Sequence, residues 1–145
     1  MMLFLLVAVL AGAMLPVQTG VNVQLRGLLG QPLAAALVSF VVGTLGLAAV
    51  VAALRVPVPV GTVWERSDWW HWSGGLLGAA YIAVTVVLAP RLGAATLIAA
   101  LVAGQMAASL IVDHYGWVGF AEHAVSPMRL AGAALIVVGV VLVRR

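Results

Sequence analysis

From Leu33 to Leu54 the chain carries no charged side chain, and Met2 to Val17 is apolar throughout apart from Gly12. Runs of this length constrain the fold more than any single motif, because about 20 predominantly apolar residues are what one helical crossing of a bilayer requires. Composition agrees. Only 8% of the 145 residues are charged, 65% are hydrophobic, and the mean hydropathy is +1.21. Soluble domains carry about 25% charged residues, and so few charges cannot cover the surface of a water-soluble globule of this size. At about 20 residues per crossing, the length admits at most about six spans and leaves no room for a separate soluble domain.

Five spans follow from the breaks between the apolar runs. The first covers residues 2–25, with the helical reading carried through Gln18, Asn22 and Gln24 to Arg26, and with Pro16 in its second half. Gly27 to Pro32 reads as a short turn, and residues 33–54 form the second span. Arg55 to Ser67, with Pro57 and Pro59, is the one real interruption. Four of the five Trp fall between Trp64 and Trp72, an interfacial aromatic belt leading into the third span at residues 72–89. Pro90-Arg91 reads as a tight break before the fourth span at residues 93–112. Asp113-His114-Tyr115-Gly116 ends that span, and residues 128–143 make the fifth before Arg144-Arg145. Open sheet edges are not tolerated in hydrocarbon, so the fold class is an all-α polytopic membrane protein, a single five-helix membrane domain. The first apolar stretch lacks a basic leader region and a cleavage signature, and is expected to be a mature span.

The sequence pI of about 10.7 does not indicate nucleic-acid binding. The net charge is only +3, there is no Lys, and the seven Arg stand singly until the terminal pair, so no basic stripe exists to displace counterions from phosphates. With no Cys there is no thiolate nucleophile and no Cys-ligated metal site. His71, His114 and His123 lie in loops or at helix ends without a metal-ligand spacing, and are expected to be interfacial or solvated. No nucleophile elbow, Walker A or dinucleotide fingerprint occurs. The chain is therefore expected to be neither an enzyme nor a cofactor-binding protein.

Five spans put the termini on opposite sides of the membrane. Arg55, Arg66 and Arg129 then fall on one side and Arg26, Arg91, Arg144 and Arg145 on the other. Three against four is almost no bias under the positive-inside rule, which is compatible with insertion in both orientations. Two oppositely inserted copies would build an antiparallel dimer, the two-chain equivalent of an inverted repeat. A single orientation with the C-terminus inside is the alternative.

Polar side chains within spans are the candidates for function. Gln18 and Asn22 lie four apart on one face of the first span, beside the carbonyl of Gly12 that Pro16 leaves without its helical donor. Ser39, Gly43 and Gly46 share a face of the second span; Gly74, Gly78, Tyr81 and Thr85 share one of the third. In the fourth, Ala95, Ala99, Ala103 and Ala107 form a small-residue ladder, while Gln105, Ser109 and Asp113 form a polar stripe on another face. Candidate substrate contacts are Gln18, Asn22, Ser39, Tyr81, Thr85, Gln105 and Ser109; the competing reading for each is an interhelical hydrogen bond. No acid occurs in residues 1–64 or in the middle of the later spans. Exchange of protons for a cation through a membrane carboxylate is therefore not expected. Any substrate is expected to be neutral, zwitterionic or polar.

The runs Gly12-Ala-Met-Leu-Pro-Val-Gln18-Thr-Gly-Val-Asn22, Gly74-Gly-Leu-Leu-Gly78-Ala-Ala-Tyr81, Pro90-Arg-Leu-Gly-Ala-Ala-Thr96, Val102-Ala-Gly-Gln105 and Asp113-His-Tyr-Gly116 resemble the YdcZ-like branch of the drug/metabolite transporter superfamily over nearly the whole chain. The resemblance implies a five-helix protein of the bacterial inner membrane, half of the ten-helix inverted-repeat transporters. It further implies an antiparallel homodimer with a cavity lined by spans 1 to 4. The related four-helix exporters depend on a Glu in span 1, where this chain has Met14 and Leu15, so their proton-coupled mechanism does not carry over. The expected function is transport of small polar metabolites by alternating access; the alternative is a non-transporting structural or accessory membrane protein. The expected partners are a second copy, the bilayer and a small molecule.

Overall fold

The computed structural model describes residues 1–144 as helices and connecting turns. The chain divides into two compact units, Met1–Pro90 and a second that begins at Arg91. Helix α1 spans Met2–Leu29, α2 Pro32–Ala53, α3 Val60–Arg66, α4 Ser73–Leu92, α5 Ala94–Tyr115 and α6 Pro127–Val143. A 3-10 turn at Trp69–Trp72 leads into α4 and another at Trp117–Gly119 follows α5. Four stretches are long and apolar enough to cross a membrane: α1, α2, Trp69–Leu92 and α5. Helix α6 is apolar with 17 residues, about 26 Å at 1.5 Å per residue, against a hydrocarbon core of about 30 Å.

The apolar runs became the helices, but three boundaries fall elsewhere than expected. Helix α1 continues through Gly27 to Leu29, and the turn shrinks to Gly30 and Gln31. The left-handed conformation that ends a helix is taken by Gly30 (φ 73°), whose N–H donates to the Arg26 carbonyl at 2.8 Å, and Pro32 opens α2. Glycine just past the end and proline just inside the next start is the favoured asymmetry.

The second correction is Pro90, which does not end its helix. Proline cannot donate to the carbonyl four residues earlier, here Val86. The Arg26 guanidinium donates to that carbonyl at 3.0 Å instead. With the lost bond replaced from α1, α4 runs on to Leu92, and the break falls at Gly93 (φ 75°, ψ 158°), a conformation essentially confined to glycine.

The third is α3, which forms inside the stretch read as an interruption, after Pro59. Beyond it, the Asp68 N–H donates to His71 Nδ1 at 2.9 Å, Trp72 Nε1 donates to Ser67 Oγ at 3.1 Å, and the Ser73 hydroxyl donates to the Trp70 carbonyl at 2.7 Å. The exposed aromatic segment is thereby an ordered turn whose Trp64 and Trp72 rings lie 5.7 Å apart.

Within the first unit, α1 packs on α2 across their two-residue turn. Ala35 and Ala36 of α2 and Ile82 and Val86 of α4 form a core flanked by Leu25, Phe40, Tyr81 and Ala83. In the second unit α5 packs on α6. Only 6–17% of the most apolar window of each long stretch is buried. Most residues of these stretches are therefore partly or fully exposed, as expected where lipid or another membrane chain is the solvent.

Candidate functional site

A cavity of about 500 Å³ opens in the first unit, lined by Leu15 and Gln18 of α1, Ser39, Phe40, Gly43, Thr44 and Leu47 of α2, and Gly78, Tyr81 and Ile82 of α4. Helical periodicity puts these groups together. Leu15 and Gln18 are three apart, Gly78, Tyr81 and Ile82 fall on one stripe, and the α2 residues follow the i, i+4 rows that begin at Ser39 and Phe40. Glycine makes room where the helices approach: a Cβ on Gly78 would lie 3.3 Å from Phe40 Cζ and 3.7 Å from Cε1. The polar lining consists of an amide, three hydroxyls and no carboxylate or cation. Such a surface offers both donors and acceptors without fixed charge, and the volume lies in the range of about 300–1,000 Å³ typical of small-molecule sites.

Of the seven candidate substrate contacts, Gln18, Ser39 and Tyr81 line this cavity together. Asn22 and Thr85 do not. Thr85 is fully buried and its hydroxyl donates to the Ile82 carbonyl of its own helix at 2.8 Å. Asn22 is 2% exposed, and its buried Nδ2 has no hydrogen-bond partner. Gln105 and Ser109 belong to the second unit, where both are exposed along α5. Sequence reasoning passed over Thr44 and Phe40, although Thr44 follows Phe40 at i+4 and Phe40 immediately follows the candidate Ser39.

The third member of the α5 polar stripe has a structural role. Asp113 Oδ2 accepts from the Arg129 guanidinium of α6, whose other terminal nitrogen donates to the His123 carbonyl at 2.8 Å. The His123 N–H in turn donates to the Asp113 carbonyl at 2.7 Å. The Val125 N–H donates to His114 Nδ1, and the Arg129 N–H to the Ser126 hydroxyl that caps α6, each at 3.3 Å. These bonds clasp the loop between α5 and α6. An apolar hollow beneath it is lined by Ala107, Leu110, Ile111, Leu130 and Ala133, with His114, Tyr115 and Val125 at its edge. Of the Ala ladder on α5, Ala107 thus faces the α6 partner residues. Among the described residues, no group of three or more His, Cys, Asp or Glu gathers to hold a metal ion.

Comparison with known proteins agrees with the architecture. The family described as "Putative inner membrane exporter, YdcZ" matches residues 3–142. Inner membrane protein YdcZ of Escherichia coli (strain K12) is 31% identical over 140 residues, covering 93% of this chain and 90% of that protein. No solved structure matches.

Proposed function

The chain belongs to the YdcZ family of inner-membrane drug/metabolite transporters, and from that premise we propose that it exports small polar metabolites by alternating access as an antiparallel homodimer. It is a multi-pass inner-membrane protein. The observation that carries the proposal is the cavity of the first unit, in which Gln18, Ser39, Thr44 and Tyr81 present neutral hydrogen-bonding groups against an apolar wall. Polar groups facing lipid are costly, and a shared polar lining of this size is what a solute passing between helices would use. With no carboxylate on any of α1, α2 and α4, the site has no acid to exchange protons for a cation. A neutral or zwitterionic solute fits it better.

The dimer rests on two further observations. The Arg distribution of three against four across the loops carries almost no orientation bias, and the long helices leave most of their apolar surface unburied. An oppositely inserted copy would complete the inverted repeat on which alternating access is commonly built. An accessory role is favoured only by Thr85, whose hydroxyl is satisfied within its own helix.

The test is a solute screen on protein reconstituted in liposomes, covering neutral and zwitterionic metabolites and a quaternary ammonium ion, with Gln18→Leu as the control. Saturable flux of at least one neutral or zwitterionic solute is expected, reduced about fivefold in the variant, the size of one lost neutral hydrogen bond. Flux of the ammonium ion alone, or none beyond empty liposomes, contradicts the proposal. Site-specific labelling of the two termini should find both on each face of the membrane. Labelling of every C-terminus on one face refutes the antiparallel arrangement.

A further inference from the structure

Beyond the cavity, we infer that Asn22 and Arg26 of α1 form an anion-binding subsite that takes the carboxylate of the transported molecule, an inference that rests on reading the chain as a transporter. Two observations carry it. The first is the buried Asn22 amide, 2% exposed, with Nδ2 lacking any hydrogen-bond partner. Buried polar groups are almost always paired, and one that is not calls for a partner from outside the protein or another explanation.

The second is the charge environment of Arg26, one turn further along the same face of α1. Its guanidinium is half-buried and donates to the Val86 carbonyl from one nitrogen, leaving most of its five N–H groups for other acceptors. No carboxylate is available to it on α1, α2 or α4. The one ion pair among the described residues lies in the second unit, between Arg129 and Asp113. An ionisable residue in a membrane helix pairs with another charge or a carbonyl and commonly marks a substrate path.

Helix periodicity places the two residues on one face of α1, one turn apart, and long side chains on a helix lie back over the turn N-terminal to their own Cα. A planar guanidinium beside an amide N–H matches the two oxygens of a carboxylate. Gln18, a further turn back, lines the cavity. Four residues of helix are about 6 Å, so a molecule anchored by its carboxylate at Asn22 and Arg26 has the rest of its body toward Gln18 and Tyr81. Within the neutral and zwitterionic solutes of the proposed function, the class narrows to zwitterions with a free carboxylate, the group that benzoate presents alone in the test.

The test measures binding of benzoate and of benzamide, its uncharged analogue, to the purified full-length protein at neutral pH by calorimetry. Benzoate should bind saturably, benzamide at least about tenfold more weakly, and Arg26→Gln should weaken benzoate about tenfold or more, as for loss of a charge-assisted hydrogen bond. Because Arg26→Gln also strips the Val86 carbonyl of its donor, Asn22→Asp is the second variant. It keeps that bond but supplies an internal carboxylate, and should abolish benzoate binding in protein that elutes as wild type on size exclusion. Equal affinity for benzoate and benzamide, unchanged benzoate binding in either variant, or no saturable binding to folded wild type overturns the inference. Solute flux that needs Gln18 but not Arg26 leaves the transport reading standing and removes this subsite. Benzoate binding that needs Arg26, in protein that moves no solute, does the reverse.

Discussion

Replacing Arg26 by Gln should destabilise the protein by an amount that depends on the residue at position 90. In the wild type, Pro90 leaves the Val86 carbonyl without its helical donor, Val86 is fully buried, and the guanidinium of Arg26 at 3.0 Å satisfies it. A hydrogen bond to a charged group contributes about 1.5–3 kcal/mol, and leaving a buried carbonyl unpaired costs about 1–3 kcal/mol. Because Arg26 is only half-buried, the lower part of these ranges applies, and Arg26→Gln should cost about 1–2 kcal/mol. In a Pro90→Ala background the backbone N–H regained at that position restores the helical bond to Val86, so the same change should cost under about 0.5 kcal/mol. The coupling between the two positions is therefore about 1 kcal/mol, readable as a double-mutant cycle from reversible unfolding in mixed detergent micelles. A coupling below about 0.3 kcal/mol, within the additivity of independent sites, would refute the reasoning that the arginine stands in for the donor that proline lacks.

Other positions give smaller experiments. Gly78→Ala places a methyl 3.3 Å from the tip of the Phe40 ring, on the cavity wall that both residues line; flux of bulky solutes should fall more than flux of small ones, with stability changed by less than about 1 kcal/mol. Asp113→Asn removes the partner of Arg129, and since the two side chains are 27% and 33% exposed the cost should be about 1 kcal/mol, measured by thermal unfolding and accompanied by faster proteolysis in the loop from Gly116 to Ser126. Val118 sits at φ 55° on an exposed turn, a conformation that costs a β-branched residue about 1–2 kcal/mol; Val118→Gly should raise the melting temperature, and a lowered one would show that the turn is not strained.

The spans were legible because bilayer crossing needs only length and apolarity, which single residues carry without knowledge of their neighbours. Their ends were less legible, since Gly27 and Pro90 are helix breakers by local rules and yet lie inside helices. Gly27 needs no special conformation with Gly30 available three residues on. The lost bond at Pro90 is made good from Arg26, 60 residues away along the chain from Val86, a contact no local pattern encodes. Likewise, Gln18, Ser39 and Tyr81 announced themselves as polar residues in apolar helices. Whether such a residue lines the cavity or is buried away from it depends on which faces meet, and this is where Thr85, bonded within its own helix, and Asn22, buried with an unpartnered Nδ2, part from Gln18. The pairing of Asp113 with Arg129 spans a loop whose course is set by its own hydrogen bonds, so both residues read from sequence only as charges near helix ends.

The central claim, that the polar lining of the first unit is a solute path open in turn to each side, is tested most directly by one engineered thiol. The chain contains no cysteine, so Ser39→Cys carries a unique label site on the cavity wall. In reconstituted protein, a membrane-impermeant thiol reagent should react at position 39 when added to either face, and modification should abolish solute flux. Failure to react from either face, or full reaction with undiminished flux, would contradict the claim.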